Sequence, residues 1–329
     1  MKRTVDVGRK LTKANRILVE LAAANGVEIK KIPGPKRRFR MNYGEKSYLV
    51  RAGYVTNAYN HRLALRLCRQ KDVANSYLRA RGFPAPENAT FQKGEAIRAW
   101  NWAEAILPVV LKPVDGSTGK MVYVKISDRE EFIELFDRIA DQYDRVLVEQ
   151  FKEGEDHRIL VVNGKIVGVL KRVPASVVGD GKLSIRELVV AKNKERKDSS
   201  VLKQIKLDEE AKRNLAKLNY DFDTIPKKGE QVFLRSNANI SDGADSYEVS
   251  HLLTEEMKKL VLRAIKSIPG LKVVGVDALI HQDELTIIEL NGNPMINIHY
   301  DTTCGNGKNV GKDILEAMFP GLEITKELF

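Results

Sequence analysis

Apolar positions change their period several times along the chain, and each change marks an element. Residues 11–25 (LTKANRILVELAAAN) place Leu11, Ile17, Leu18 and Leu21 on one face and predict an amphipathic helix stopped at Gly26. Residues 27–55 predict short strands, broken at Pro33-Gly34-Pro35 and at Tyr43-Gly44. Helical spacing returns over residues 60–81 and ends at the joint Gly82-Phe83-Pro84-Ala85-Pro86. From there strands and helices alternate. Residues 108–112 and 121–124 predict strands flanking a Gly-bearing loop at 115–120, DGSTGK. Ser127 predicts a helix N-cap, with Glu130 completing a capping box and Phe132, Leu135, Phe136 and Ile139 on the buried face. Residues 146–149 predict a strand, and residues 158–172 a hairpin turning at Asn163-Gly164. The polar, Lys-rich residues 182–230 predict helices and loops, residues 255–268 a helix, and residues 273–281 with 285–291 a second hairpin. There is no internal repeat and no low-complexity tail. The pattern implies an α+β or mixed α/β protein with antiparallel strand pairs.

Composition adds bounds. The 329 residues suit one large domain or two to three lobes. No stretch approaches the roughly 18 uninterrupted apolar residues of a membrane span, and the opening MKRTVDVGRK carries no apolar signal core. Cys68 and Cys304 build no disulfide framework and no CxxC pair, which predicts a reducing, cytoplasmic setting. The formal charge of +11 is unevenly placed: residues 1–100 hold 22 Lys+Arg against 7 Asp+Glu, and residues 101–329 hold 33 against 37. The densest run is Lys30-Lys31 followed by Lys36-Arg37-Arg38 and Arg40. Such a run is either solvated surface or a field that draws an anionic partner, whether nucleic acid, polyanionic substrate or acidic carrier protein.

Four constellations carry candidate chemistry. Asp277 lies in one strand of the second hairpin, and Glu289 and Asn291 lie two apart at the end of the other, so those two share a face. Three oxygen-bearing side chains among apolar neighbours suit a hard cation such as Mg²⁺; otherwise they are the polar face of the hairpin. Lys112 ends a strand before the DGSTGK loop, an arrangement that suits a polyphosphate although it is not a Walker A loop. Lys71 on the preceding helix is a further candidate cation. Glu149 and Asp156 flank an open segment that reads as an adenine hinge or as an acidic surface loop. Arg235-Ser236-Asn237-Ala238-Asn239 offers a guanidinium fork for phosphoryl or carboxylate oxygens, with Arg158, Lys171 and Arg172 as further cations.

Taken in order, these segments resemble the ATP-grasp enzymes, and more closely the ATP-grasp module of cyanophycin synthetases and of bifunctional glutathione synthetases. The resemblance rests on Asn75–Pro86 (NSYLRARGFPAP), Val110–Gly119 (VLKPVDGSTG), Val148–Val162 (VEQFKEGEDHRILVV), Val173–Leu188 (VPASVVGDGKLSIREL), Leu234–Asp242 (LRSNANISD), and Val274–Asp277 with Ile288–Pro294. It implies an α+β fold of two lobes holding ATP between antiparallel sheets, with a short basic N-terminal lobe at 1–85, a small lobe at 86–160 and a large lobe at 161–329. It implies that Lys71 and Lys112 hold the ATP phosphates and that Gly116, Ser117, Thr118 and Gly119 form the loop covering them, with Ser117 on the catalytic side. Glu149 then matches the adenine-side acid, with Phe151 in the same hinge, and Asp156 the ribose carboxylate. Asp277, Glu289 and Asn291 match ligands of Mg²⁺, two ions being expected and Mn²⁺ a substitute. Arg235 matches a stabiliser of the phosphorylated intermediate, with Asn237 beside it, while His157 and Arg158 match substrate-side positions.

The implied activity is ATP-dependent amide formation between an amino-acid or peptide carboxylate and an amine, through an acyl phosphate. Two departures bear on the substrate. Met295 follows Gly292-Asn293-Pro294 where relatives commonly have glycine, and Gly243-Ala244 stands where they have a glycine pair. The other catalytic parts of those relatives are absent, so a free-standing module is expected. The expected partners are amino acids or peptides, including poly-acidic chains or an acidic carrier, and a homo-oligomer is allowed; nucleic acid and membrane are not expected. Competing readings are a basic module binding RNA or an acidic protein with a decayed nucleotide site, and a small-molecule kinase using the same ATP site.

Overall fold

The computed structural model describes residues 11–34, 38–116, 121–197, 199 and 201–327. Helix α1 (Lys13–Ala24) starts at Thr12, whose hydroxyl accepts from the Asn15 N–H, and buries Ile17, Leu18 and Leu21. A three-stranded antiparallel sheet follows, β1 (Glu28–Lys31), β2 (Arg38–Tyr43) and β3 (Lys46–Arg51), in that spatial order. Its inner face buries Phe39, Met41 and Val50. On its outer face Lys30 stands opposite Arg40, and Arg38 opposite Arg51. Like charges directly opposite each other repel, so this sheet keeps a basic outer face at a cost in stability.

Three short helices come next, α2 (Val55–Tyr59), α3 (Arg62–Arg69) and α4 (Lys71–Arg79). The spacing over 60–81 predicts one helical stretch; the structure breaks it at Gln70, whose φ −102° and ψ 85° are not helical. That break makes Lys71 the first residue of a new helix. Strand β4 (Asn88–Gln92), helix α5 (Ala96–Ala103), strands β5 (Val109–Pro113) and β6 (Tyr123–Ile126), helix α6 (Arg129–Ala140) and strand β7 (Arg145–Gln150) build the second sheet, in the order β4-β7-β5-β6. Helices α5 and α6 cover it through a core of Trp100, Phe132, Phe136, Leu111 and Val148. Two local expectations change here. Asp128, not Ser127, caps α6, its carboxylate accepting from the Glu131 N–H at 2.8 Å; aspartate caps as well as serine, and the helix starts one residue later. Strand β6 starts at Tyr123, two residues beyond Met121, which sits in a turn with φ 54°.

The third sheet runs β12-β9-β8-β13-β14 and is antiparallel throughout. Strands β8 (Glu155–Val162) and β9 (Lys165–Val173) form the expected hairpin. Strand β10 (Ser176–Val178), helices α7 (Ile185–Glu195) and α8 (Glu209–Ala216) and strand β11 (Gln231–Phe233) make a small unit with its own apolar core. A capping box does occur there, between Ser184 and Glu187 at the start of α7. Strand β12 (Asp245–Glu248), helix α9 (Glu255–Lys266), strands β13 (Val273–His281) and β14 (Glu284–Asn291) and helix α10 (Val310–Met318) complete the chain. Ile159 and Val161 face the cluster that holds α9, while Leu160 and Val162 face the one that holds α1 and α10. The N-terminal sheet therefore shares its core with the large sheet and the last helix. Helices and antiparallel sheets in two lobes give the α+β architecture that the resemblance implied. Among the described residues no helix is long and apolar enough to cross a membrane.

Candidate active site

Helix α4 joins the two larger sheets. Lys71 and Asn75 are four residues apart and share a face. Lys71 Nζ donates to the Gly116 carbonyl at 3.1 Å, at the base of the Gly-bearing loop, and lies 3.5 Å from Glu289 Oε2 on β14. Asn75 Nδ2 donates to Glu149 Oε2 on β7 and to the Ile288 carbonyl on β14, each at 3.1 Å. A cleft of about 280 Å³ opens along this seam, with Lys71, Asp115, Gly116, Glu289 and Asn291 in its wall.

Lys112 and Glu149 lie on the paired strands β5 and β7. Lys112 Nζ donates to Glu149 Oε1 at 2.7 Å, and the residues are only 8% and 2% exposed. Asn75 holds the other Glu149 oxygen, so this buried carboxylate has both oxygens engaged. Phe151 follows β7 directly, its N–H donating to the Pro108 carbonyl at 2.9 Å.

A second cluster lies on the five-stranded sheet. Asp277 stands opposite Glu289 on one side and opposite Arg158 on the other, and Asn291 stands opposite Gly275. Gly275 leaves room for the arginine: a Cβ there would come 3.1 Å from Arg158 Cδ. Arg158 donates to both Asp277 oxygens, through Nε and, at 3.0 Å, through Nη2. Arg172 Nη2 lies 3.2 Å from Asp277 Oδ1 and 2.6 Å from Asp156 Oδ1. Burial works against charge on Asp277, but the Arg158 and Arg172 guanidiniums prevail and hold its carboxyl below the usual range. Burial and the neighbouring Asp277 charge push Asp156 up, against the pull of Arg172. Asp156 thus belongs to this arginine cluster, bonded to Arg172.

The oxygen set fits a hard cation in part. Glu289 and Asn291 share the cleft wall, and among the described residues Glu289 pairs with Lys71. Asp277 joins them only if Arg158 or Arg172 yields a contact. Among the described residues no three His, Cys, Asp or Glu side chains gather as a metal site by themselves. An asparagine and substrate oxygens would have to complete the shell, as Mg²⁺ commonly allows.

Other expected residues lie elsewhere. Arg235 is 4% exposed and donates to the Leu234 and Lys206 carbonyls and, at 2.8 Å, to Asp208 Oδ2. Asn237 Oδ1 accepts from the Asn239 N–H at 3.3 Å. Neither lines the cleft, because both follow β11 in the small separate unit. Ser117, Thr118 and Gly119 lie outside the described residues. His157 Nδ1 sits 2.8 Å from the Glu155 carbonyl, and burial lowers its pKa. Asn75 carries no role in the sequence pattern beyond its four-residue spacing from Lys71. The part of Arg172 in holding Asp277 depends on cross-strand register and had no local signal.

Cys68 lines the cleft but is buried, and burial pushes its thiol up to about 12, whereas Cys304 is exposed. At pH 7.5 a maleimide should therefore label one thiol per native chain. Cys304→Ser should remove that label; mass-mapped labelling of Cys68 in the native protein would contradict the burial.

Comparison with known proteins places this geometry. Residues 81–213 match the family model described as prokaryotic glutathione synthetase, ATP-grasp domain. A cyanophycin synthetase from Crocosphaera subtropica is 31% identical over 294 residues, covering 85% of this chain and 33% of the relative. The glutathione biosynthesis bifunctional protein of Desulfotalea psychrophila is 29% identical over 335 residues, covering 97% of this chain and 42% of that protein. The crystal structure of a bifunctional glutathione synthetase from Pasteurella multocida superposes with a TM-score of 0.67 at 26% identity, covering 94% of this chain and 44% of that one. The chain thus spans less than half the length of these relatives. Since the likeness extends over both larger sheets and the seam between them, the chain belongs to the ATP-grasp ligase family.

Proposed function

We propose that the chain is an ATP-dependent ligase joining an amino-acid or peptide carboxylate to an amine. The observation that carries this reading is the convergence at Lys71 of the base of the Gly-bearing loop and the oxygen face of Glu289 and Asn291. In the first step a substrate carboxylate oxygen attacks the γ-phosphorus of ATP, ADP leaves and an acyl phosphate forms. In the second the amine lone pair forms a C–N bond, the C–O bond to phosphate breaks, and the departing phosphate takes the proton from nitrogen. Lys71 and Lys112 are assigned to the ATP phosphates, and the Gly-bearing loop to excluding water from the acyl phosphate. Glu149 and Phe151 are assigned to the adenine side, and Asp156 to the ribose. Glu289, Asn291 and Asp277 would hold Mg²⁺, which when bound neutralises charge on the phosphoryl oxygens. Arg158 and Arg172 keep fixed positive charge beside that face, so little reorganisation is needed as negative charge develops.

The test is ADP release measured over pairs of amino acids and short acidic peptides. ADP should form only when a carboxylate and an amine are both present. ADP formed steadily without any amine would indicate a kinase, and none under any combination would sink the ligase reading.

The basic outer face of the N-terminal sheet supports an acidic substrate. Lys30, Arg40 and Arg51 are exposed there, and no acidic ion-pair partner for them lies among the described residues. With an acidic peptide as substrate, KM should rise several-fold between low and about 0.3 M salt as the field is screened. Charge reversal at Lys36, Arg37 and Arg38 should raise KM at low salt; an unchanged KM would remove this support. Of these three, Lys36 and Arg37 lie outside the described residues.

A further inference from the structure

Part of the cleft wall comes from α2 and α3, which carry none of the groups assigned above. Asn57 of α2 and Arg69, the last residue of α3, both line the cleft alongside Lys71, Glu289 and Asn291. Arg69 makes no hydrogen bond and no ion pair among the described residues. The Asn57 side-chain oxygen is buried and has no partner among them. A buried acceptor left unpaired is costly and calls for a donor. The helices that carry these two groups are anchored to the end of β14. Thr56, next to Asn57, donates to Asn293 Oδ1 at 3.1 Å, and Asn60 Nδ2 donates to the Gly292 carbonyl at 2.9 Å. Helix α3 packs so closely on Gly292 that a Cβ there would lie 2.7 Å from Leu65 Cδ2. The segment carrying Asn291 and the helices carrying Asn57 and Arg69 therefore form one unit.

We infer that this wall binds the amine-bearing substrate, that this substrate is an amino acid or peptide with a free carboxylate, and that Arg69 holds that carboxylate while Asn57 accepts an N–H from the reacting amine. The inference rests on the ligase reading. A carboxylate that takes no part in the reaction stays charged throughout and needs a permanent cation, which Arg69 supplies in a geometry suited to two oxygens. The carboxylate to be phosphorylated belongs instead at the Lys71 and Glu289 end. A neutral acceptor is the right partner for the amine, because an acid at position 57 would hold it as an ammonium with no lone pair. With an N–H on Asn57, the nitrogen lone pair is free to form the C–N bond as the C–O bond to phosphate breaks and phosphate leaves with the proton.

The experiment compares wild type, Arg69→Ala and Arg69→Lys in ATP and Mg²⁺, with an equimolar pool of the common amino acids and short acidic peptides as carboxylate source. Hydroxylamine traps an acyl phosphate as a hydroxamate and needs no carboxylate pocket. Arg69→Ala should leave hydroxamate formation within about twofold and lower peptide formation by about 30-fold or more, mostly in KM for the amine substrate. Arg69→Lys should recover part of that loss. Wild type should use amino-acid amides as amine substrates about tenfold or more worse than the free acids, and Arg69→Ala should erase that preference. An equal loss of hydroxamate and peptide, or an unchanged preference for free acids in Arg69→Ala, would overturn the assignment and leave the ligase reading intact. No hydroxamate from wild type would overturn the ligase reading and this inference with it.

Discussion

Asp277→Ala should abolish ADP release, by about 10³-fold or more. The carboxylate is placed to do two jobs. It stands opposite Glu289 on the face that would hold Mg²⁺, and it receives Arg158 and Arg172. Removing it deletes the proposed hard-cation ligand and leaves the buried Arg158 without its acid, while Arg172 keeps Asp156, a change of about 3–5 kcal/mol in comparable buried pairs. Asp277→Asn separates the jobs. The amide keeps the volume and one acceptor for Arg158, so the fold should survive, while the lost negative charge should still raise the Mg²⁺ concentration needed for half-maximal rate. The check is ADP release against Mg²⁺ for both variants, with circular dichroism to confirm folding. Wild-type turnover and an unshifted Mg²⁺ midpoint in Asp277→Asn would show that the carboxylate serves the arginines alone.

Lys112→Met should lower stability by about 3–5 kcal/mol and remove nucleotide binding as well. Glu149 would be left in a site only 2% exposed with Asn75 as its one side-chain hydrogen-bond partner among the described residues. The double variant Lys112→Met/Glu149→Gln removes the stranded charge, so most of the stability should return. Nucleotide binding should not return, because the ammonium assigned to the phosphates is still missing. Urea midpoints report the first effect and titration with an ATP analogue the second. If the double variant binds nucleotide as wild type does, Lys112 is a structural partner of Glu149 and the phosphates are held elsewhere.

Legibility in the sequence followed the range of the forces involved. The two hairpins, the helices over 13–24, 129–140 and 255–266 and the basic N-terminal sheet could be read from period, turn residues and charge, because each depends on neighbours a few residues away. The choice of Asp128 over Ser127 as N-cap could not, since both residue types cap well. Nor could the break at Gln70, which turns one predicted helical stretch into α3 and α4 and points Lys71 into the cleft.

The sequence by itself determined the residue types of the candidate site, the strands that carry Lys112, Glu149, Asp277, Glu289 and Asn291, and the helical stretch that includes Lys71. Tertiary structure decided which of them meet. Asn75 ties Glu149 to β14, Arg158 and Arg172 close on Asp277, Asp156 joins Arg172, and Arg235 turns away to Asp208. The reason is physical. Alternation along a strand fixes the face of a side chain, whereas its partner across the sheet is set by register between strands that lie more than a hundred residues apart, as Arg158 and Asp277 do. Part of the uneven charge acquires a place in the same way: the sequence located it in the first hundred residues, and the fold sets Lys30, Arg38, Arg40 and Arg51 on the outer face of a sheet whose inner face shares the core of the larger lobe.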